Sequence, residues 1–342
     1  MTKELIIAVL LFVLGLVLLI KGGDWFVDGA SGIAKRLHVP ELIIGATVVS
    51  IGTTLPEVMV SATSAAKGAS AMSYGNAIGS IICNTALILA ISIAIRPAEA
   101  DRKSLLMPVI FFFAAAAFYV ICAYVFGYFY RWMGIVLLAV FVGYMALSAV
   151  QAKKEAKLLS PEDAEKQEVA EPAPEEKPAK KPLIKDGLFK DLLLLIVGAA
   201  LIALGANLLV NNGITIAQII GIPQSVIALT FIALGTSLPE LVTAITSLVK
   251  GHGQLSLGNI IGANLFNLVL VCGVSITIAP FAVPAEAMFL GMNRSLVIDI
   301  PVMLASMLIL TVPALIKNKL YRWQGVCLLA IYAGFIAIQF AF

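Results

Sequence analysis

The chain reads as long apolar runs separated by short polar breaks. Runs of roughly 18 or more apolar residues can cross the ~30 Å hydrocarbon layer of a bilayer as helices. Ten such runs occur, at about 4–21, 41–67, 72–95, 104–126, 131–150, 187–212, 223–249, 254–278, 295–316 and 321–341. Each predicts a transmembrane helix. The first has the apolar character of a signal peptide, but no small-residue cleavage site follows it. The stretch from Gly22 to Pro40 behind it also has a counterpart from Gly205 to Pro223 inside the chain, so it is read as helix one. Residues 151–186 break the pattern: they are Lys, Glu, Pro and Ala with almost no large apolar side chain. Such a segment buries too little surface to offset its ordering entropy, which predicts a disordered linker acting as a solvated tether.

The polar positions inside the runs recur. Gly52-Thr53-Thr54-Leu55-Pro56-Glu57 returns as Gly235-Thr236-Ser237-Leu238-Pro239-Glu240. Gly75-Asn76-Ala77-Ile78-Gly79-Ser80, followed by Asn84, returns as Gly258-Asn259-Ile260-Ile261-Gly262-Ala263, followed by Asn267. Every pair is offset by 183 residues, and about 17 of the 46 positions in 45–90 and 228–273 are identical. The halves are therefore duplicates, 1–150 and 187–342 around the linker.

Composition fixes the class. At 61% hydrophobic and 13% charged residues, with a mean hydropathy of +1.01, the chain is a polytopic membrane protein. Nothing in it calls for a nucleic-acid partner or a cofactor, and protein partners are not legible. Cys83, Cys122, Cys272 and Cys327 all lie in apolar segments without metal-ligand spacing, which predicts buried thiols.

Charge sets orientation. With the N-terminus outside, 19 of the 23 Lys and Arg fall on the cytoplasmic side, and only Lys3, Lys67, Arg131 and Arg294 fall outside. Both termini are then outside and the linker is cytoplasmic, as expected in a cell (inner) membrane. Five helices per half is odd, so the second half enters the membrane upside down. The predicted fold is all-α: ten transmembrane helices forming two inverted five-helix repeats, with a site near the midplane where the halves meet.

Glu57 and Glu240 are the acids deepest in the predicted spans. A carboxylate at that depth costs a few kcal/mol on insertion scales and must face a polar cavity or a partner. No Lys or Arg lies at matching depth. Pro56 and Pro239 withhold an N–H from the carbonyls of Gly52 and Gly235, predicting a kinked or locally unwound helix beside Thr53, Thr54 and Glu57. The Gly-x-x-x-Gly spacing allows close helix approach. Asn76 and Asn84 lie about 80° apart around a helix, and Asn259 and Asn267 repeat them. Asn84 and Asn267, the deeper pair, are read as facing the site. Asn76 and Asn259 are divided between ligand and helix-break cap. Every donor is oxygen, which suits hard cations such as Ca²⁺ and Na⁺.

Lesser positions carry less. Asp24 and Asp28 read as the solvated end of helix one, Asp299 as interfacial, and His38 and His252 as loop residues. Trp132 and Trp323 fit an interfacial belt.

These motifs resemble the cation/Ca²⁺ exchanger superfamily, most closely its prokaryotic sodium/calcium exchangers. The resemblance covers both halves and all ten spans. It implies antiport by alternating access, with Na⁺ and Ca²⁺ as substrates sharing one site and no enzymatic step. By position it makes Glu57 and Glu240 the shared acids. Thr53, Thr54, Thr236 and Ser237 supply neighbouring ligands, and Ser50 and Ala233 offer backbone carbonyls. Asn84 and Ser80 are polar ligands on helix three. Asn267 stands where some relatives have Asp, and Ala263 where Ser is usual. The first departure implies K⁺ independence, because in the potassium-dependent branch an Asp here is associated with K⁺. The second removes a side-chain ligand from one flanking Na⁺ site. The nearest alternative is Ca²⁺/H⁺ antiport through the same glutamates. An intramembrane hydrolase lacks a protease signature such as His-Glu-x-x-His, and a passive channel would conduct without coupling.

Overall fold

Each apolar run is helical over nearly all of its described residues in the structure, a computed structural model that describes residues 2–158, 184–219, 235, 237–285 and 288–341. Helix α1 spans Thr2–Leu37, α2 Glu41–Ala66, α3 Ser70–Ile95, α4 Arg102–Phe126 and α5 Arg131–Leu158. Then follow α6 Ile184–Ile219, α7 Leu238–Val249, α8 Gly253–Ile278, α9 Ser295–Lys317 and α10 Arg322–Ala341. Among the described residues, nine of these, all but α7, are long and apolar enough to cross a membrane. Of the expected span 223–249, the structure describes Gly235 and residues 237–249.

Hydropathy misplaced four boundaries. Helix α1 continues from the expected 21 to Leu37, and α6 from 212 to Ile219. At 1.5 Å per residue α1 is about 54 Å long, well beyond the hydrocarbon thickness. Its polar extension is held by packing rather than by lipid. The linker is also shorter than composition implied. Gln151–Leu158 continues α5, and α6 begins at Ile184, so only 159–183 falls outside the described residues. Gln-Ala-Lys-Lys-Glu-Ala-Lys-Leu is made of strong helix formers and propagates an existing helix at little cost.

The contacts come in exchanged pairs. Helices α1 and α6 cross so closely that a Cβ on Gly15 would stand 2.8 Å from the Gly205 carbonyl oxygen and the Leu209 nitrogen. A Cβ on Gly198, its counterpart, would meet the Gly22 carbonyl and the Phe26 nitrogen, which are the counterparts of Gly205 and Leu209. Gly22 against Ile202 and Gly205 against Leu19 repeat the exchange.

The connecting strands follow suit. Strand β1 (Tyr128–Phe129) pairs antiparallel with β2 (Phe281–Ala282), Tyr128 opposite Ala282. At the other ends of these helices Glu99 bridges Lys319 in the same way. The Val283 amide donates to the Gly127 carbonyl (3.0 Å), and the Ala100 amide to that of Asn318 (2.9 Å).

Two apolar clusters result. The larger joins α3, α4, α5, α8, α9 and α10; the smaller binds α1 and α6 to the start of α2. Among the described residues five π turns interrupt the helices: Gly45–Val49, Asn84–Leu89, Cys122–Phe126, Asn267–Val271 and Ser295–Asp299.

Candidate functional site

Helix α2 carries the first motif on a backbone that departs from the sequence reading. It is α-helical from Ser50 through Pro56 to Ala66, with no unwound segment at Gly52–Thr54. The distortion sits upstream, in the π turn Gly45–Val49. A π turn absorbs one extra residue and releases carbonyls from the regular ladder. Side chains take them up. The Tyr144 hydroxyl of α5 donates to the Ala46 carbonyl at 2.9 Å. The Ser50 hydroxyl lies 2.7 Å from the Gly45 carbonyl and 2.9 Å from that of Asn259 on α8.

Helix α7 carries the second motif and obeys the expectation. Ser237 is outside helical geometry (φ −88°, ψ 4°), and the helix starts at Leu238 with Pro239 in its first turn. There the missing N–H deprives no intrahelical acceptor.

The asparagine motifs are placed alike. Asn84 opens the π turn of α3, and Asn267 opens that of α8. Helix α2 packs against the widened turn of α8, and α7 against that of α3, so each half lays its motif helix on the other half's asparagine. Ser92 and Ser275, again 183 apart, donate to the Ile88 (3.2 Å) and Val271 (2.8 Å) carbonyls of those turns.

Glu57, Glu240, Thr53, Thr54, Ser50, Asn84, Asn267, Ser237 and Ser80 are all buried. Helices α2 and α7, which carry Glu57 and Glu240, pack against each other. Thr236 and Ala233 lie outside the described residues. Among the described residues, both oxygens of Glu57 and of Glu240, both amide atoms of Asn84 and of Asn267, Thr54 Oγ1 and Ser237 Oγ have no hydrogen-bond partner. Buried polar groups are almost always paired. Two acids, two amides and two hydroxyls are left so, and all of them offer the oxygen donors that hard cations prefer.

Asn76 and Asn259 act on α2 instead. Asn76 Nδ2 donates to the Glu57 carbonyl (3.2 Å) and to Ser61 Oγ (2.8 Å). Asn259 Oδ1 accepts the Thr53 hydroxyl at 3.1 Å. With that proton committed, the lone pairs of Thr53 Oγ1 are free to face a cation. Close approach makes this possible. A Cβ on Gly258 would overlap the Leu42 carbonyl, and one on Gly262 would overlap Ser50 Oγ.

Several polar positions hold more than their sequence suggested. Lys250 Nζ lies 2.7 Å from Asp28 Oδ1 and 3.4 Å from Asp24 Oδ1, so these acids are paired rather than simply solvated. His252 Nδ1 lies 2.7 Å from Glu41 Oε1, tying the α7–α8 loop to the start of α2. Asp299 is buried and accepts from Gln339 Nε2 (2.9 Å), which is more interior than an interfacial role. Arg36 pairs with Asp191. Cys83, Cys122 and Cys272 are buried free thiols as expected, whereas Cys327 is only half-buried. Tyr144 and the Asn264–Thr85 bond (2.6 Å) gave no signal in the sequence. Ser92 and Ser275 did, through their common offset.

Comparison with known proteins adds the following. The family model described as sodium/calcium exchanger protein matches residues 7–150 and 190–341. The sodium/calcium exchanger MaX1 of Methanosarcina acetivorans is 31% identical over 357 residues, covering 97% of this chain and 98% of its own. The inner membrane protein YrbG of Escherichia coli is 35% identical over 283 residues, 81% of each chain. A solved structure of the sodium-calcium exchanger NCX_Mj, soaked with 10 mM Na⁺ and zero Ca²⁺, superposes with a TM-score of 0.76 at 32% identity. It covers 97% of this chain and 99% of that one.

Proposed function

The chain belongs to the sodium/calcium exchanger protein family, and from that premise we propose that it is a secondary active antiporter exchanging Na⁺ for Ca²⁺ by alternating access at one shared site. One observation carries the reading. Glu57 and Glu240 are fully buried on helices that pack against each other, without a hydrogen-bond partner among the described residues. Their combined charge neutralises one Ca²⁺. Two or three Na⁺ spread over the same oxygens, so occupancy by one ion excludes the other, and exclusion is what couples the fluxes.

The ligands are Glu57 and Glu240 with the side chains of Thr53, Thr54, Thr236, Ser237, Ser80, Asn84 and Asn267. The carbonyls of Ser50 and Ala233 complete the set. Asn267 supplies no third charge, so transport is independent of K⁺. Ala263 supplies no hydroxyl, so one flanking Na⁺ site is weak. The cargo ions are carried unchanged, with no resident cofactor and no enzymatic step.

The architecture in this reading is two inverted five-helix repeats, 1–150 and 187–342, in the cell membrane. The termini are outside and the linker is cytoplasmic. The exchanged contacts of Gly15 with Gly205 and Gly198 with Gly22 support it, as do the matched bridges Tyr128–Ala282 and Lys319–Glu99. With three Na⁺ per Ca²⁺, one net charge moves per cycle, coupling turnover to voltage by ~2.3 kcal/mol per 100 mV.

A second reading, Ca²⁺/H⁺ exchange, is favoured by the same unpartnered carboxyls, since a proton neutralises them as a metal does. The test is ⁴⁵Ca²⁺ uptake into proteoliposomes loaded with Na⁺, with K⁺, or carrying only a pH gradient. The sodium reading expects uptake with internal Na⁺ alone. Uptake driven by the proton gradient without Na⁺ would replace it with the second reading.

A further inference from the structure

The duplication has one insertion. Ala282 and Glu99 correspond at an offset of 183, but their partners Tyr128 and Lys319 correspond at 191. The second half is therefore eight residues longer between these points; its α8–α9 connection, 279–294, is ten residues longer than 96–101 in the first, and α9 starts two positions later in the repeat than α4. There the chain forms a hairpin, β3 (Met288–Phe289) against β4 (Met292–Asn293), with Phe289 opposite Met292. Its two turn residues, Leu290 and Gly291, have φ of +50° and +79°.

Positive φ at both central positions is the type I′ hairpin, in which Asn-Gly is the favoured pair. Leucine there is strained by its Cβ, and an Asn would make a hairpin in water less strained and more soluble. Yet Leu290 is 75% exposed, with Met288 at 48% and Met292 at 51%. No charged residue lies between 288 and 293.

We propose that this hairpin is a membrane-surface anchor whose tip, Met288, Leu290 and Met292, sits in the headgroup–acyl boundary of the bilayer. The occupant follows from continuity. The Tyr124 hydroxyl donates to the Leu296 carbonyl, fastening the first turn of α9, just past the hairpin, to the end of α4. There Tyr124, Val125, Phe126, Tyr130 and Trp132 form an exposed aromatic and apolar band. Such a band marks the bilayer interface.

The test is a nitroxide on Leu290→Cys in the full-length protein in liposomes, with Cys327→Ala and the three buried cysteines left in place. The expected result is collision with oxygen exceeding collision with a water-soluble nickel chelate, as at a Val125→Cys control and opposite to Lys319→Cys. Dominance of the nickel chelate would mean a solvated hairpin. Shielding from both reagents would mean a protein cover such as a second copy. Either result overturns the proposal. Leu290→Asn, which suits the turn, should leave detergent melting unchanged or higher while making a label at Met292→Cys several-fold more accessible to nickel. A Met292 label that kept its depth would remove Leu290 as the anchor.

Discussion

The two copies of the glycine-threonine-proline-glutamate motif sit on different backbones. Pro56 lies inside a continuous helix that is widened upstream, whereas Pro239 lies in the first turn of a helix that begins at Leu238. An interior proline costs a helix ~3 kcal/mol or more and a first-turn proline almost nothing. Hydroxyls near the motif also differ between the halves. Tyr144 and Ser50 take up the carbonyls of the widened turn in α2. At the repeat offsets, Ser50 becomes Ala233 and Tyr144 becomes Phe335, neither of which has a hydroxyl. Six identical or near-identical residues do not dictate their own backbone. Residues outside the motif that take up the carbonyls of the α2 turn differ between the halves, and the counterpart of that turn, 228–232, lies outside the described residues.

Breaking the equivalence of the acids should have the largest effect. Glu57→Gln and Glu240→Gln are each expected to reduce Na⁺-dependent ⁴⁵Ca²⁺ exchange to background while elution volume and melting stay near wild type. Robust transport by one variant and not the other would make the pair unequal and end the two-carboxylate site. Next comes the hydroxyl that distinguishes the halves. Tyr144→Phe strands the Ala46 carbonyl and should cost about 1–3 kcal/mol of stability. It should also raise the KM for both ions, through displacement of Thr53 and Glu57. Phe335→Tyr, its mirror image, should do neither; equal effects in thermal unfolding and transport would remove the asymmetry.

Lys250 offers a smaller contrast. It is paired with Asp24 and Asp28, whereas for its counterpart Lys67 the repeat replaces these two acids by Asn207 and Asn211. Lys250→Gln should cost at most about 1 kcal/mol, because the bridge is partly exposed. Lys67→Gln should cost less, as read by paired melting curves. Deleting 160–182 should have the least effect, leaving both transport and melting nearly unchanged. Complete loss of transport in well-folded deletion protein would make this segment more than a tether.

Much of this was legible because membranes restrict what a chain can do. Apolar length located most of the helices, and the 183-residue offset singled out Glu57, Glu240, Asn84 and Asn267 before any coordinate. The misread boundaries have a common cause. Hydropathy stops at Lys21 and at Gln151, but backbone hydrogen bonding does not, and α1 runs on to Leu37 and α5 to Leu158. The shift of the α2 distortion from Pro56 to Gly45–Val49 was not legible, because Tyr144, which takes up the Ala46 carbonyl of that turn, lies 98 residues away in sequence. The roles of Asn76 and Asn259 were undecidable from spacing alone. Which face of α2 they reach depends on the close approach at Gly258 and Gly262.

The unpartnered oxygens around Glu57 and Glu240 also bear on how the protein survives. Groups that are buried and unpaired in the folded state are better solvated in the unfolded one, so the empty site works against folding. A cation bound only to the folded chain reverses this by mass action, adding about 2.7 kcal/mol at one hundred times its dissociation constant. The transported ions are then also the protein's stabilisers. Its melting temperature should climb with the logarithm of free Ca²⁺, and that climb should vanish in Glu240→Gln. In the exchange proposed above, each ion that leaves would give up part of the fold's stability until the next one enters.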